Sequence, residues 1–304
     1  MIKFRIPTHY IHFGESDLTD YYNRCYAGEK KTFTIVDNDS YDFLILINRT
    51  TNNKTTPASR KYRPYYKFDK KKTIIFQNEP LKKRQKWKRS SPAFINPDPC
   101  LYKKVFSIKH YHNLVLPVYK FNNIVKESNK VISFISAKRS LPLQKIRSNF
   151  YRKRIVSNPD IFIDHPVVKE DYISKFTDCN YSYEGNRVQQ FFDDRYQGYL
   201  PHKYVMQSES LDELNYFTEK IIEPIMCECL TFYSGCSNLD KFIDNRCFIR
   251  VDFSKIDEAM DIIKKSIEND EWSKRIKYIR REKDRIHKEM SFLRIAENLI
   301  NTKG

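Results

Sequence analysis

The five residues Tyr216-Phe217-Thr218-Glu219-Lys220 set a carboxylate and an ammonium side by side where an amphipathic helix should begin, with Phe217, Ile221 and Ile225 on one face. The first turn of a helix leaves backbone amides without intrahelical partners, and its dipole favours negative charge. A lysine added at that terminus makes an anion site, of the kind that takes phosphate. Glu79 is a second candidate. It follows the apolar run Thr73-Ile74-Ile75-Phe76, so it should stand beyond the carboxyl end of a buried strand. A carboxylate there is placed to take a proton.

The elements around these residues read as α/β. Tyr204 to Gln207 is a short strand, Ser208 to Asn215 a polar turn, and Cys229 to Tyr233 a second strand ending at Gly235, so the helix near Thr218 is the crossover of a βαβ unit. Upstream, Ile2–Ile6, Thr32–Val36, Tyr41–Asn48 and Thr73–Phe76 read as strands, with a helix from Glu15 to Cys25. The continuous apolar run at Phe43–Ile47 suits a parallel sheet buried on both faces. Further strands are expected at Leu101–Ile108, Asn113–Val118, Val131–Ser136 and Phe248–Phe253. Helices should lead from Ala137 to Arg154, from Arg187 to Gln197, and from a capping-box-like Ser254/Asp257 start to about Ile267. Ser273 to Asn301 carries one apolar stripe, Ile276, Ile279, Ile286, Met290, Leu293 and Ile300, among many charges.

Composition narrows the class. A chain of 304 residues with 40% hydrophobic and 14% aromatic content suits two domains with cores of their own. The longest apolar run is far below the roughly 20 residues that span a bilayer, and the N-terminus lacks the apolar core of a signal peptide. The expectation is a cytoplasmic protein of bacterial or viral type with no stable membrane insertion. Seven cysteines without scaffold spacing argue against a disulfide framework, and Cys227, Cys229 and Cys236 lack the paired spacing of a zinc site. Six glycines form neither a dinucleotide-binding nor a P-loop fingerprint. If a nucleotide diphosphate binds, side chains and a helix terminus must hold it.

Three segments carry a family resemblance. Ser208-Glu209-Ser210, Tyr216-Phe217-Thr218-Glu219-Lys220-Ile221 and Leu230-Thr231-Phe232-Tyr233-Ser234-Gly235 resemble the donor-site signature of the family 10 glycosyltransferases, the α1,3/4-fucosyltransferases. In those enzymes the pattern reads roughly Phe-Glu-Asn-Ser, Tyr-x-Thr-Glu-Lys and Ile-Pro-Ile-Tyr-Trp-Gly. Ser210 stands where the family has Asn, Glu228 where it has Gly, Thr231 where it has Pro and Ser234 where it has Trp.

The resemblance implies two Rossmann-like domains facing a cleft, the GT-B type. Residues 1–127 would form an acceptor-side domain and residues 128–285 a nucleotide-sugar-binding domain, with a C-terminal helix at 286–304 crossing back to the first. It implies an inverting transfer from a GDP-sugar, GDP-fucose, to a hydroxyl of a glycan or glycoconjugate, with no cofactor required. Lys220 and Arg147, the latter in Lys145-Ile146-Arg147-Ser148-Asn149-Phe150-Tyr151, would meet the diphosphate. Glu219 would hold the ribose, Tyr216 and Ser210 would line the donor pocket, and Glu79 would be the base. Glu209 is a runner-up base, although its place in the donor motif argues for positioning. His110 and His112 read either as acceptor-side groups or as surface histidines.

Two alternatives stay open. The same fold accommodates another nucleotide sugar. Between Arg60 and Arg89, thirteen Lys or Arg face only Asp69 and Glu79 and alternate with Tyr62, Tyr65, Tyr66 and Trp87. That is the composition of a nucleic-acid-binding surface, and equally of a solvated basic face.

Overall fold

The computed structural model describes residues 1–5, 32–36, 38–47, 73–76, 123–133, 142–155, 157–164, 198–212, 214, 216–290 and 294. Glu79, His110, His112, the basic segment outside 73–76, and the elements expected at 15–25, 101–118 and 187–197 lie outside them. The chain divides into two compact units, one of residues 1–118 with 289–304 and one of residues 119–288.

In the first unit, β1 (Ile2–Arg5), β2 (Phe33–Ile35), β3 (Phe43–Ile47) and β4 (Thr73–Phe76) form a parallel sheet in the order β2-β1-β3-β4. Phe4 sits at its centre, with the rings of Phe33 and Phe43 at centroid distances of 5.2 and 6.4 Å. Arg5 closes the β1 end by pairing with Asp39.

The second unit holds a five-stranded parallel sheet of β5 (Ser128–Ser133), β6 (Phe162–Asp164), β7 (His202–Ser208), β8 (Leu230–Ser234) and β9 (Phe248–Arg250), ordered β6-β5-β7-β8-β9. Its helices are α1 (Pro142–Phe150), α2 (Glu219–Met226), α3 (Ile256–Glu268) and α4 (Glu271–Glu289). The chain leaves β5 toward β6 on one side and returns to β7 on the other. The strand order therefore reverses between β5 and β7, where open parallel sheets bind ligands beyond the carboxyl ends. Phe217, Ile221 and Ile225 are fully buried, as the helical spacing predicts, and α2 packs against β7 and β8. Tyr204 and Phe232 stack at 5.8 Å across those strands. Phe150 at the end of α1 meets Phe253 at 5.1 Å.

Several expectations change, among them β5, which starts at Ser128 rather than Val131, and α1, which ends at Phe150 rather than Arg154. Ser254 does not cap α3: its hydroxyl and amide both bond Asp252, and Lys255 takes the cap position without a side-chain bond. An aspartate two residues upstream captures the serine in a tight local turn. The β9 strand stops at Arg250, three residues early, because Asp252 begins that turn. The long C-terminal helix begins at Glu271 and its described run ends at Glu289, burying Ile279 and Ile286, with Met290 buried just past its end. No helix among the described residues is long and apolar enough to cross a membrane.

His202 opens β7 fully buried, with Nδ1 bonded to the Gly198 carbonyl at 2.8 Å. Burial lowers its pKa from 6.5 to about 4, with the charges of Lys126 and Lys130 adding to the fall and the Gly198 bond opposing it. Between those values the unfolded chain binds a proton that the folded chain refuses. Stability is therefore complete above about 6.5 and drains as pH falls toward 4, by up to about 3 kcal/mol. Denaturant unfolding at pH 7.5 and 4.5 should show a smaller acid loss for His202→Gln than for wild type. Equal losses would assign the acid sensitivity elsewhere.

Candidate active site

The site is built on the carboxyl end of β7. After Ser208 the chain keeps one more sheet-like bond, Glu209 N–H to Ser234 O at 2.8 Å, which turns the Glu209 side chain inward beneath the start of α2. The carboxylate is inaccessible to solvent, a position that charge tolerates only when it is fully bonded. Oε1 accepts from the Thr218 amide at 2.9 Å and the Tyr233 hydroxyl at 3.2 Å, and the Thr218 hydroxyl lies 2.8 Å from Oε2. Burial first, then the Glu209 charge, push the Tyr233 phenol well above its usual range, so it stays a donor. Glu209 thus has the surroundings of a positioning group, engaged by its neighbours rather than presented to a substrate.

Gly235 makes room for it. At φ +144°, a conformation side chains rarely adopt, an added Cβ would lie 2.6 Å from Glu209 Cγ and 2.7 Å from Glu209 Cβ. Only glycine lets the β8 exit pass so close.

Thr218 is the N-cap of α2, with extended backbone. Its hydroxyl donates toward Glu209 and accepts from Lys220 Nζ at 3.0 Å, linking the buried carboxylate to the lysine. Lys220 Nζ also donates to Glu219 Oε1 at 2.8 Å and lies 3.6 Å from Glu209 Oε2. A cation in a first helical turn opposes the dipole, so this lysine is placed against local preference, as functional groups often are. Burial alone would depress its pKa, but Glu219 and Glu209 outweigh burial and raise it, while Arg147 works the other way. Lys220 is a permanent cation across the neutral range.

Arg147 arrives from α1. It is 3% exposed, and Nη1 donates to the Ser208 carbonyl at 2.7 Å, the last residue of β7. One turn earlier Gln144 Nε2 donates to Ser210 Oγ at 2.9 Å. Gln144, Arg147 and Ser148 form a buried polar stripe on α1 at i, i+3 and i+4, facing the carboxyl end of β7. Sequence reading missed Gln144. The signal was a glutamine at i−3 from the candidate arginine in a helix with few apolar residues.

Arg147, Glu209, Ser210, Glu219 and Lys220 thus gather around one strand end, and Tyr216 is buried beside them, close enough to act on Tyr233 electrostatically. Two largely buried cations share the strand end, near enough for the charge of one to oppose that of the other, so an anion entering there would relieve the repulsion. At Glu228 the structure explains a motif departure. Glu228 is left-handed (φ +60°) immediately after α2, and its amide and that of Cys229 bond Ile225 and Pro224 carbonyls in a Schellman closure. That position favours glycine. Here the glutamate is kept by bonds from Lys283 Nζ and Arg280 Nε, each at 2.9 Å.

No family model and no curated protein sequence matches the chain. Among solved structures it is similar to an α1,3-fucosyltransferase at 16% identity and a TM-score of 0.40, over 90% of this chain and 81% of that one. It is similar also to α1,3-fucosyltransferase with GDP-fucose, at 15% identity and 0.40, and with GDP, at 16% and 0.39, over the same shares. Likeness of that extent sets neither family nor activity; those rest on the residues of this chain.

Proposed function

We propose that the protein is an inverting glycosyltransferase that takes a nucleotide sugar, GDP-fucose, and transfers the sugar to a glycan hydroxyl. The observation that carries this reading is the meeting of Arg147 and Lys220 at the carboxyl end of β7, beside the strand-order reversal. The resemblance of the three motif segments to the fucosyltransferase donor signature supports the choice of donor.

In this mechanism the acceptor oxygen attacks the anomeric carbon, the bond from that carbon to the diphosphate oxygen breaks, and the hydroxyl proton passes to a carboxylate. The leaving diphosphate gains negative charge, which Lys220 and Arg147 meet with fixed donors, so no metal ion is required. Glu219 takes the ribose hydroxyls. Tyr216 and Ser210, the latter held by Gln144, line the donor pocket. Glu79 is the base. Residues 1–127 serve the acceptor and residues 128–285 the donor.

A calorimetric screen of GDP-, UDP- and dTDP-sugars against the purified chain tests the reading. GDP-fucose should bind and the uridine and thymidine donors should not. Preference for a UDP- or dTDP-sugar would keep the fold and change the donor, and no nucleotide binding would end the proposal.

A further inference from the structure

We infer that Glu219 is a built-in competitor for the phosphate site, holding Lys220 until a nucleotide's ribose draws the carboxylate away. The inference rests on the phosphate-binding reading of that site. A lysine ammonium has three protons, and Lys220 has three neighbours: Thr218 Oγ1 at 3.0 Å, Glu219 Oε1 at 2.8 Å and Glu209 Oε2 at 3.6 Å. Thr218 and Glu219 take two of those protons in hydrogen bonds and Glu209 stands close to the third, so a phosphate gains full access to the ammonium when one partner gives way. Thr218 is the helix cap and bonds the buried Glu209. The Glu209 side chain has no exposure and is fixed by the Thr218 amide and Tyr233, whereas the Glu219 side chain is 19% exposed. Glu219 is the replaceable partner: it is the most exposed of the three and the first residue of α2.

Two consequences follow. A diphosphate without a nucleoside must displace Glu219 with nothing to receive it. A nucleoside diphosphate offers the displaced carboxylate its ribose hydroxyls, so nucleotide and bare diphosphate are told apart by Glu219 as well as by base contacts. Glu209 and Thr218 meanwhile keep the ammonium in place throughout, which makes them positioning residues.

The experiment measures binding of pyrophosphate and GDP, each alone, to wild type, Glu219→Gln and Glu219→Ala, and repeats the Glu219→Gln comparison in a Lys220→Ala background. Freeing the ammonium should tighten pyrophosphate binding about fivefold, the scale of one part-exposed ion pair at its upper end, while GDP binding weakens. In Lys220→Ala the gain for pyrophosphate should vanish, because it acts through Lys220. Tightening that persists without Lys220 would mean simple removal of repulsion and would overturn the exchange. So would pyrophosphate binding by wild type that neither substitution improves, although the phosphate site would then stand. Failure of wild type and variants to bind either compound would remove the phosphate site and this inference together.

Discussion

Glu79→Gln should lower the rate of GDP release from GDP-fucose in the presence of acceptor glycans by about 10²–10⁴-fold, the usual contribution of a general base, while GDP affinity stays at the wild-type value. The separation is expected because the phosphate-site residues all belong to the unit of residues 119–288, whereas Glu79 belongs to the other. Glutamine keeps the shape and removes the basic lone pair, so a base is lost and packing is not. Lost binding with unchanged turnover would make Glu79 a donor ligand. An unaffected variant would remove it from the mechanism. The runner-up, Glu209, is a poor replacement, since its oxygens are enclosed and already bonded to Thr218 and Tyr233.

Glu228→Ala should destabilise the 119–288 unit by about 3–5 kcal/mol, the cost of breaking a buried ion pair. Glu228 Oε1 accepts from Lys283, whose side chain is 4% exposed, and Oε2 from Arg280. Burial pushes the glutamate pKa up, but the Lys283 and Arg280 bonds win and hold it below the ordinary value of 4.5. Its stabilisation is therefore present above that value and is lost as pH falls below it. Glycine at the same position should be less harmful than alanine by about 1 kcal/mol, because it relieves the left-handed strain while losing the same pair. Urea unfolding of the three proteins at pH 7 gives the order. Stability of Glu228→Ala equal to wild type would show that the ion pair contributes nothing net.

The sequence was legible where a single physical rule decided the outcome. Thr73–Phe76 is a four-residue apolar run and is a strand over those residues. The helix expected near Thr218 follows from the Phe217, Ile221, Ile225 spacing, and α2 begins there. Boundaries failed where local polar groups competed, as when Asp252 drew Ser254 out of the α3 cap. The site was legible as a set of residues and opaque as an arrangement. Glu219 and Lys220 are adjacent in sequence, but the clamp on Lys220 depends on Glu209, eleven positions away, folding under the helix and on Gly235 leaving space for it. Gln144 escaped notice because its role exists only once α1 lies across the end of β7. The Glu228 departure from glycine reads as a defect until Lys283 and Arg280 arrive from α4.

The central claim is that Arg147 and Lys220 together form a diphosphate site. Isothermal titration of GDP into wild type, Lys220→Ala and Arg147→Ala, each first shown by thermal melting to be folded, tests it directly. The account predicts wild-type binding and a loss of about 1.5–3 kcal/mol for each substitution, the range for hydrogen bonds to charged groups. GDP binding by both variants as tight as by wild type, or no GDP binding by wild type, would contradict it.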